Sequence, residues 1–475
     1  MSDDMLYPPS GQERADALVL FGISGDLAHK MLLPALYRLT ESGDLTVPVI
    51  GVAATDWDDQ ALRAHAREAV EAAVPDLDEA VLKHMTDRLS MIGGDFTDDA
   101  TFDGVRRAVA GSGFVTYYLA TPPTLFTTVA AGLARAGLNR GARLVVEKPF
   151  GRDLASARKL QQELSTHFDS RHLLRVDHFL GSEAVKGLMV SRFANALLAP
   201  VWHRSSVDNV QITLTEDFDV SDRGSFYDTV GCLRDVVQNH MLQILTCLAM
   251  EPPSVTDASA QGLEKWRLLR ATRTMDPRDT VRGQYDGYRE TEGVAPDSLT
   301  ETYFATRVFV DNWRWAGVPF YLRSGKSLAV SATEVVVELH KPPLDLFGAS
   351  GGGTPPDVIR FRVDGDTGIR ADLVLRRPDP NGAPVTVPLG VDFEQVWGRR
   401  RLPYENILLG AVTGDSDYFV HFPTVLESWR IVGDVLDPAE PPHRYAPGSW
   451  GPAEADRLPG LKHWHQPTPR LLEDG

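Results

Sequence analysis

Ala17-Leu18-Val19-Leu20-Phe21-Gly22-Ile23-Ser24-Gly25-Asp26-Leu27 is an apolar run that ends in a glycine turn and opens into residues with helical spacing. A buried strand, a tight turn and a helix start make the first unit of a nucleotide-binding βαβ fold. Glycines there let the backbone approach a pyrophosphate, and the helix N-terminus offers N–H groups and partial positive charge. A GxxG turn alone has a plainer meaning, an ordinary tight turn, so the surrounding pattern has to carry the reading. Pro34 falls inside the helical stretch and predicts a kink or a new first turn.

Downstream the strand pattern repeats. Residues 47–53 read as the second strand, and Ala54-Thr55-Asp56 just beyond it would face the adenosine ribose. No arginine stands there to clamp a 2′-phosphate, and a carboxylate lies close by, which favours NAD over NADP. Asp56 has two readings, a partner for ribose hydroxyls or the N-cap of a helix over 57–70. Residues 89–92, 114–120 and 143–146 continue the series, with a helix over 125–136. The last strand of the three runs into Glu147-Lys148-Pro149, which gives Lys148 a ligand-facing position or an ordinary surface one. Asp153 caps a helix with Leu154, Ala157, Leu160, Leu164 and Phe168 at three-to-four spacing. Residues 173–179 close this half as a strand that ends on Asp177 and His178.

Beyond Gly181 the pattern changes. A helix over 183–193 precedes 207–215, whose alternation predicts a half-exposed antiparallel strand. Further strands are expected at 302–310, 320–323, 333–340, 358–363 and 369–375, with a glycine-rich loop at 348–356. The expected fold is therefore α/β followed by α+β. A disordered leader (1–15) precedes a Rossmann-like dinucleotide-binding domain (16–180). A larger domain with a big antiparallel sheet (181–475) follows; its role in substrate binding and oligomerisation is what the family resemblance given below implies.

The 475 residues carry 48 basic and 65 acidic side chains, a formal charge of −17, which argues against affinity for nucleic acid or anionic membrane. An anionic substrate would need a local basic cluster. Apolar runs fall short of the ~18 residues of a membrane span. The acidic N-terminus lacks an export pattern, and Cys232 and Cys247 read as packing residues, so a cytoplasmic setting is expected.

The chemistry concentrates in 228–249, read as one helix with Leu233, Val237, His240, Ile244 and Leu248 along a stripe. A histidine on such a stripe is by default a core residue. The alternative is a general base whose second nitrogen meets a carboxylate, for which Asp177 at a strand end is available. Such a pair suits oxidation of a carbinol, with the proton taken by imidazole while hydride leaves for a nicotinamide. No ligand cluster around His178 or His240 points to a metal.

Five motifs together resemble the glucose-6-phosphate 1-dehydrogenase family over about residues 17–460. They are Gly22-Ile23-Ser24-Gly25-Asp26-Leu27-Ala28, Glu147-Lys148-Pro149-Phe150-Gly151 and Arg175-Val176-Asp177-His178-Phe179-Leu180-Gly181. Asp235-Val236-Val237-Gln238-Asn239-His240 and Val318-Pro319-Phe320-Tyr321-Leu322-Arg323-Ser324-Gly325-Lys326 complete the set. Its actinobacterial branch, with a His-Phe pair at 178–179, is the nearest match. The resemblance implies His240 as base, oriented by Asp177, and His178 on a 6-phosphate. Lys148 would bridge cofactor and sugar, while Glu216, Asp235 and Lys326 hold sugar hydroxyls or the phosphate edge. The dinucleotide would lie on Gly22, Ser24, Gly25, Asp26, Leu27, Ala54 and Lys148. A lactone product and a homodimer or homotetramer built through the sheet domain also follow.

The chain departs from that family at its phosphate grip. Ser182 and Ser331 stand where the family has lysines, Met31 replaces another lysine, and Phe179 replaces a tyrosine. Ala54 replaces the arginine for a cofactor 2′-phosphate. Charge-assisted hydrogen bonds contribute roughly 1.5–3 kcal/mol each, so losing two costs about a hundredfold or more in affinity. Lys186, Arg175 and Arg323 are candidates to compensate. Three readings are open: glucose 6-phosphate or a close analogue as substrate; a non-phosphorylated or otherwise 6-substituted hexose with NAD; or a non-catalytic nucleotide-binding relative with a regulatory role.

Overall fold

The computed structural model describes residues 13–346, 354–378, 384–437, 440–460 and 462–472. Residues 1–12 of the expected leader and most of the glycine-rich loop at 348–356 lie outside the described residues. The chain packs as two compact units. Among the described residues, the first takes those within 1–182, 253–263 and 401–426, and the second those within 183–252, 264–400 and 427–475.

The first unit holds a six-stranded sheet of β1 (Ala17–Phe21), β2 (Val49–Ala53), β3 (Leu89–Gly93), β4 (Val115–Leu119), β5 (Ala142–Val146) and β6 (Leu173–Arg175). The order is β3-β2-β1-β4-β5-β6 and every pairing is parallel. The strand order reverses between β1 and β4, where ligands of doubly wound sheets bind at the carboxyl ends. β1, β2, β4 and β5 are buried along their whole length, which is why they read as mostly apolar runs, broken only by Thr116 in β4 and Arg143 in β5.

One return from late in the sequence completes this core. Ile407, Leu408, Ala411 and Val412 of the helix Pro403–Thr413 pack with Leu18, Leu20 and Leu36, each apolar side chain contributing roughly 1.5–3 kcal/mol on burial. Ala411 O accepts from Thr116 Oγ1 (2.8 Å) and Arg143 Nη1 (2.6 Å).

Of three local expectations, those for Asp56 and for the last strand change, and the new first turn at Pro34 holds. Asp58, not Asp56, caps the helix after β2, accepting from Ala61 N at 2.8 Å, and the helix runs Asp59–Ala73. Pro34 lies in the first turn of Leu33–Glu41, behind a π-helical stretch Ala28–Leu32 that absorbs the change of register. β6 stops at Arg175, because Asp177 Oδ1 accepts from Phe179 N at 3.0 Å and turns the chain into the 3-10 helix His178–Gly181.

The second unit holds a nine-stranded mixed sheet of β7 (Val207–Thr215), β8 (Thr280–Tyr285), β9 (Tyr303–Phe309), β10 (Pro319–Gly325), β11 (Ala332–Leu339), β12 (Val358–Asp364), β13 (Gly368–Arg376), β14 (Pro384–Asp392) and β15 (His443–Tyr445). The order is β14-β13-β12-β11-β7-β10-β9-β8-β15; β7/β10 and β8/β15 are parallel and the other pairs antiparallel. β7 is central and almost wholly buried, not half exposed as its alternation predicts. Its polar face is covered by the C-terminal segment: Gln211 donates to His463 O (3.0 Å) and accepts from His465 N (2.8 Å).

The helix expected over 228–249 is three pieces: Gly224–Cys232, a π-helical segment Leu233–Met241, and Leu242–Ala249. Gly231 breaks the first piece with φ +68°. Among the described residues no helix is long and apolar enough to cross a membrane.

Candidate active site

The carboxyl edge of the parallel sheet carries the cofactor-side residues named from the sequence. Gly22 leaves β1 with φ +84°, and a Cβ there would stand 2.3 Å from Ala120 O, so only glycine can turn under the exit of β4. Gly25 N donates to Gly22 O and His29 N to Gly25 O, both at 3.0 Å, as helical structure begins at Asp26. Gly25 and Asp26 are exposed, Ser24 and Leu27 partly buried. First-turn N–H groups have no acceptor within a helix, so this turn presents donors at the point where the strand order reverses. Ala54 is exposed directly after β2, and residues 54–59 include no cation. The arrangement fits a dinucleotide.

β5 delivers Glu147 and Lys148 to the same edge, with the Lys148–Pro149 peptide cis. Glu147 is buried and accepts from the hydroxyls of Tyr118 and Tyr404. Burial pushes its carboxyl up to about 7, against the lowering effect of the two hydroxyls and Lys148. Tyr404 comes from the returning helix and lies nearly parallel to the His178 ring, 12° between planes and 6.4 Å between centroids. Phe179 packs against His178 at 4.9 Å. Gly181 lets this helix approach, since a Cβ there would stand 2.5 Å from Pro403 O, and Asn406 Nδ2 donates to Gly181 O at 2.9 Å. Asp177 is buried at 2% exposure at the end of the edge. Glu147, Tyr118 and Tyr404 had no role in the sequence reading. Tyr404 sits in Leu402-Pro403-Tyr404-Glu405, whose proline and glutamate are helix-start signals but name no partner.

In the second unit the π-helical segment places Asp235 and His240. With hydrogen bonds running from i to i+5, residues five apart lie about one turn apart and share a face. His240 is buried at 3% exposure and Asp235 is partly buried. β7 and β10 end beside each other and deliver Glu216 and Lys326, which form an ion pair. The Lys326 ammonium is buried and lies 5.0 Å from the Phe218 ring and 5.8 Å from the Tyr227 ring. A buried imidazole, a carboxylate one turn away and an ammonium–carboxylate pair suit recognition of a polyhydroxyl compound with proton removal.

The departures from the family pattern also have definite places. Ser331 exchanges hydrogen bonds with Asp217. Met31 is 48% exposed on the π-helical stretch after the glycine turn. Ser182 N donates to Phe179 O at 3.1 Å. Two candidate compensating cations are committed elsewhere. Arg323 is buried between Trp450 (5.1 Å) and Trp464 (4.6 Å). Arg175 is buried against Phe422 at 4.8 Å and donates to Leu173 O and Gln161. Lys186 is partly buried on the helix Glu183–Phe193.

Comparison with known proteins follows this division of labour. The family model "Glucose-6-phosphate dehydrogenase, NAD binding domain" matches residues 19–187, and "Glucose-6-phosphate dehydrogenase, C-terminal domain" matches residues 189–465. The chain belongs to the glucose-6-phosphate dehydrogenase family. Glucose-6-phosphate 1-dehydrogenase 1 of Mycobacterium tuberculosis is 42% identical over 458 residues, covering 96% of this chain and 97% of that protein. The Treponema pallidum glucose-6-phosphate 1-dehydrogenase is 36% identical over 505 residues, 98% of each chain. Among solved structures, the Mycobacterium avium glucose-6-phosphate 1-dehydrogenase superposes with a TM-score of 0.89 at 44% identity, covering 96% of this chain and 99% of that one. A glucose-6-phosphate dehydrogenase in complex with its substrate glucose-6-phosphate gives a TM-score of 0.88 at 29% identity, covering 96% and 100%. The first unit of this family member is an NAD(P)-binding domain, and the chain is an oxidoreductase of that class.

Proposed function

We propose that this protein oxidises C1 of a glucose-type hexose, glucose 6-phosphate or a close analogue, to the 1,5-lactone with hydride transfer to NAD(P)+. The observation that carries the reading is the π-helical segment, which buries His240 one turn from Asp235 in a chain of this family. His240 takes the C1 hydroxyl proton as the C1–H bond gives up its hydride and C1 becomes a carbonyl. A bound nicotinamide would supply the acceptor for that hydride. Asp177 orients His240 and stabilises the imidazolium, a role drawn from the family resemblance. Glu216, Asp235 and Lys326 hold sugar hydroxyls, Lys148 bridges sugar and cofactor, and His178 meets the 6-substituent. Gly22, Ser24, Gly25, Asp26 and Leu27 hold the pyrophosphate, with Ala54 beside the adenosine ribose.

Cofactor binding is assigned to residues 16–180, and substrate binding and self-association to 181–475. A homodimer or homotetramer through the sheet is supported by the outer strand β14, which leaves Leu389 and Val391 exposed near Trp397 at 71% exposure. The protein acts in the cytoplasm, without nucleic acid, membrane or metal.

A second reading, a non-phosphorylated or otherwise 6-substituted hexose with NAD+, is favoured by the partners that the departing and compensating residues take. Ser331 is tied to a carboxylate, Arg323 and Arg175 are spent in packing, and the stretch after β2 has no cation. Steady-state kinetics with glucose 6-phosphate, glucose and other 6-substituted hexoses, each with NAD and NADP, separate the two. Absence of turnover on all of them points to a non-catalytic relative instead.

A further inference from the structure

The π-helical segment that carries Asp235 and His240 starts without a cap of its own. No side chain at Cys232, the position before it, accepts from the first turn, and Gly231 at φ +68° severs it from the preceding helix. A helix start leaves its first N–H groups without intrahelical acceptors. Here the acceptors come from one distant residue, Glu301, just before β9. Cys232 N donates to Glu301 O and Leu233 N donates to Glu301 Oε1, both at 3.0 Å. The other carboxylate oxygen accepts from Arg282 Nη2 at 3.1 Å. Arg282 is itself fixed by Leu299 O (2.7 Å) and Glu440 O (3.0 Å). Both charged side chains are nearly closed to water, Glu301 at 7% and Arg282 at 13% exposure. Gly231 makes the approach possible, because a Cβ there would lie 2.6 Å from Glu301 Oε1.

The next residue extends the same clamp to Lys326. Thr302 O accepts from Lys326 N at 2.9 Å, and Tyr445 donates to Lys326 O at 2.7 Å while meeting Thr302 Oγ1 at 2.9 Å. Two consecutive residues therefore tie the origin of the His240 segment to the strand end that carries Lys326.

We propose that Glu301, held by Arg282, is a positioning residue: it sets where the π-helical segment begins and so where His240 stands relative to Lys326 and Glu216. This rests on the assignment of His240 as the base. A helix with i to i+5 bonds is rare against the tighter α form. Removing the acceptor at its first turn lets the segment re-register as α, which turns His240 off the face it shares with Asp235. The cofactor-binding unit is not part of the clamp, so a defect falls on the chemical step.

The test compares Glu301→Ala, Glu301→Gln and Glu301→Asp with the parent, using the substrate on which the parent is most active. Glu301→Ala lowers kcat about ten- to hundredfold, the range expected for misplacing a catalytic group by about 1 Å. The KM for the dinucleotide stays within twofold, and the isotope effect from C1-deuterated sugar increases as hydride transfer becomes limiting. Glu301→Gln keeps an oxygen for Leu233 N and recovers at least half of the lost log-rate. Should Glu301→Ala fail to fold, Glu301→Asp, which draws the carboxylate back by one methylene, takes its place with the same expected changes. An unchanged kcat and isotope effect in the alanine or aspartate variant overturns the proposal, as does a glutamine variant no better than alanine. His240→Asn run in parallel keeps the two ideas apart: activity retained there removes the base assignment, whereas activity lost there with Glu301 variants unaffected removes only the positioning role.

Discussion

Ser331 Oγ donates to Asp217 Oδ1 at 2.5 Å, and Asp217 N donates back to Ser331 Oγ at 3.0 Å. At a position where the family resemblance expects a cation, this chain holds a hydroxyl committed to a carboxylate. Replacing the pair with Asp217→Ser and Ser331→Lys restores an ammonium without its competing acid. The KM for glucose 6-phosphate is expected to fall about tenfold, the lower end of a charge-assisted contact, with the KM for unphosphorylated glucose within twofold. Equal KM values for both sugars before and after the change would remove this corner from the account of substrate choice.

Loss of the base separates chemistry from binding. His240→Asn is expected to reduce kcat by about 10²- to 10⁴-fold, the usual contribution of a general base. Dinucleotide affinity, measured by calorimetry, stays within twofold. Asp177→Asn lowers kcat in the same direction by a smaller factor, because the imidazole remains while its orienting charge is gone. Wild-type turnover in His240→Asn contradicts the proposed mechanism.

Cofactor choice is read at the exit of β2. Ala54 is exposed and its neighbours carry no cation. Ala54→Arg should move the ratio of kcat/KM for NADP over NAD upward by about tenfold, one charge-assisted contact to a 2′-phosphate. A ratio unmoved by the arginine would place the ribose elsewhere.

Glu147 predicts a pH dependence of stability. Its carboxyl is pushed by burial up to about 7 in the folded protein from an ordinary value of 4.5. The folded state thus holds a proton that the unfolded chain releases earlier. The stabilisation is complete below about pH 4.5 and is lost as pH rises through about 7. Glu147→Gln keeps an acceptor for Tyr118 and has no proton to lose. Denaturant melts of the variant should show a flatter decline between pH 5 and 8 than the parent, by about 2–3 kcal/mol across the window. Parallel curves would mean that Glu147 stays ionised in the folded protein.

Much of the first unit was legible because its signals are local. The run Ala17–Phe21 with its glycine turn and the Asp153 cap with Ser156 both sit where spacing and capping chemistry put them. Local signals misled where burial came from afar. The alternation of β7 reads as one wet face, yet that face lies under residues 463–465. β14 escaped notice because Pro384 and Pro388 argue against a strand; as the outer strand it has a side on which a missing N–H costs no ladder bond.

The sequence by itself determined the doubly wound cofactor platform, the order of its strands' chemistry and the residue types available for the reaction. These follow from hydrophobic period, glycine turns and family motifs, all readable within a few residues. Tertiary structure alone decided which groups have partners. Tyr404 reaches Glu147 and His178 because a helix from residues 403–413 returns to the first sheet. Arg323 is withdrawn from any ligand by two tryptophans far along the chain. Asp235 and His240 share a face only because the segment is π-helical, and its start is held by Glu301. The contacts of Tyr404, Arg323 and Glu301 join residues distant in sequence, settled by packing and by the need to satisfy buried polar groups.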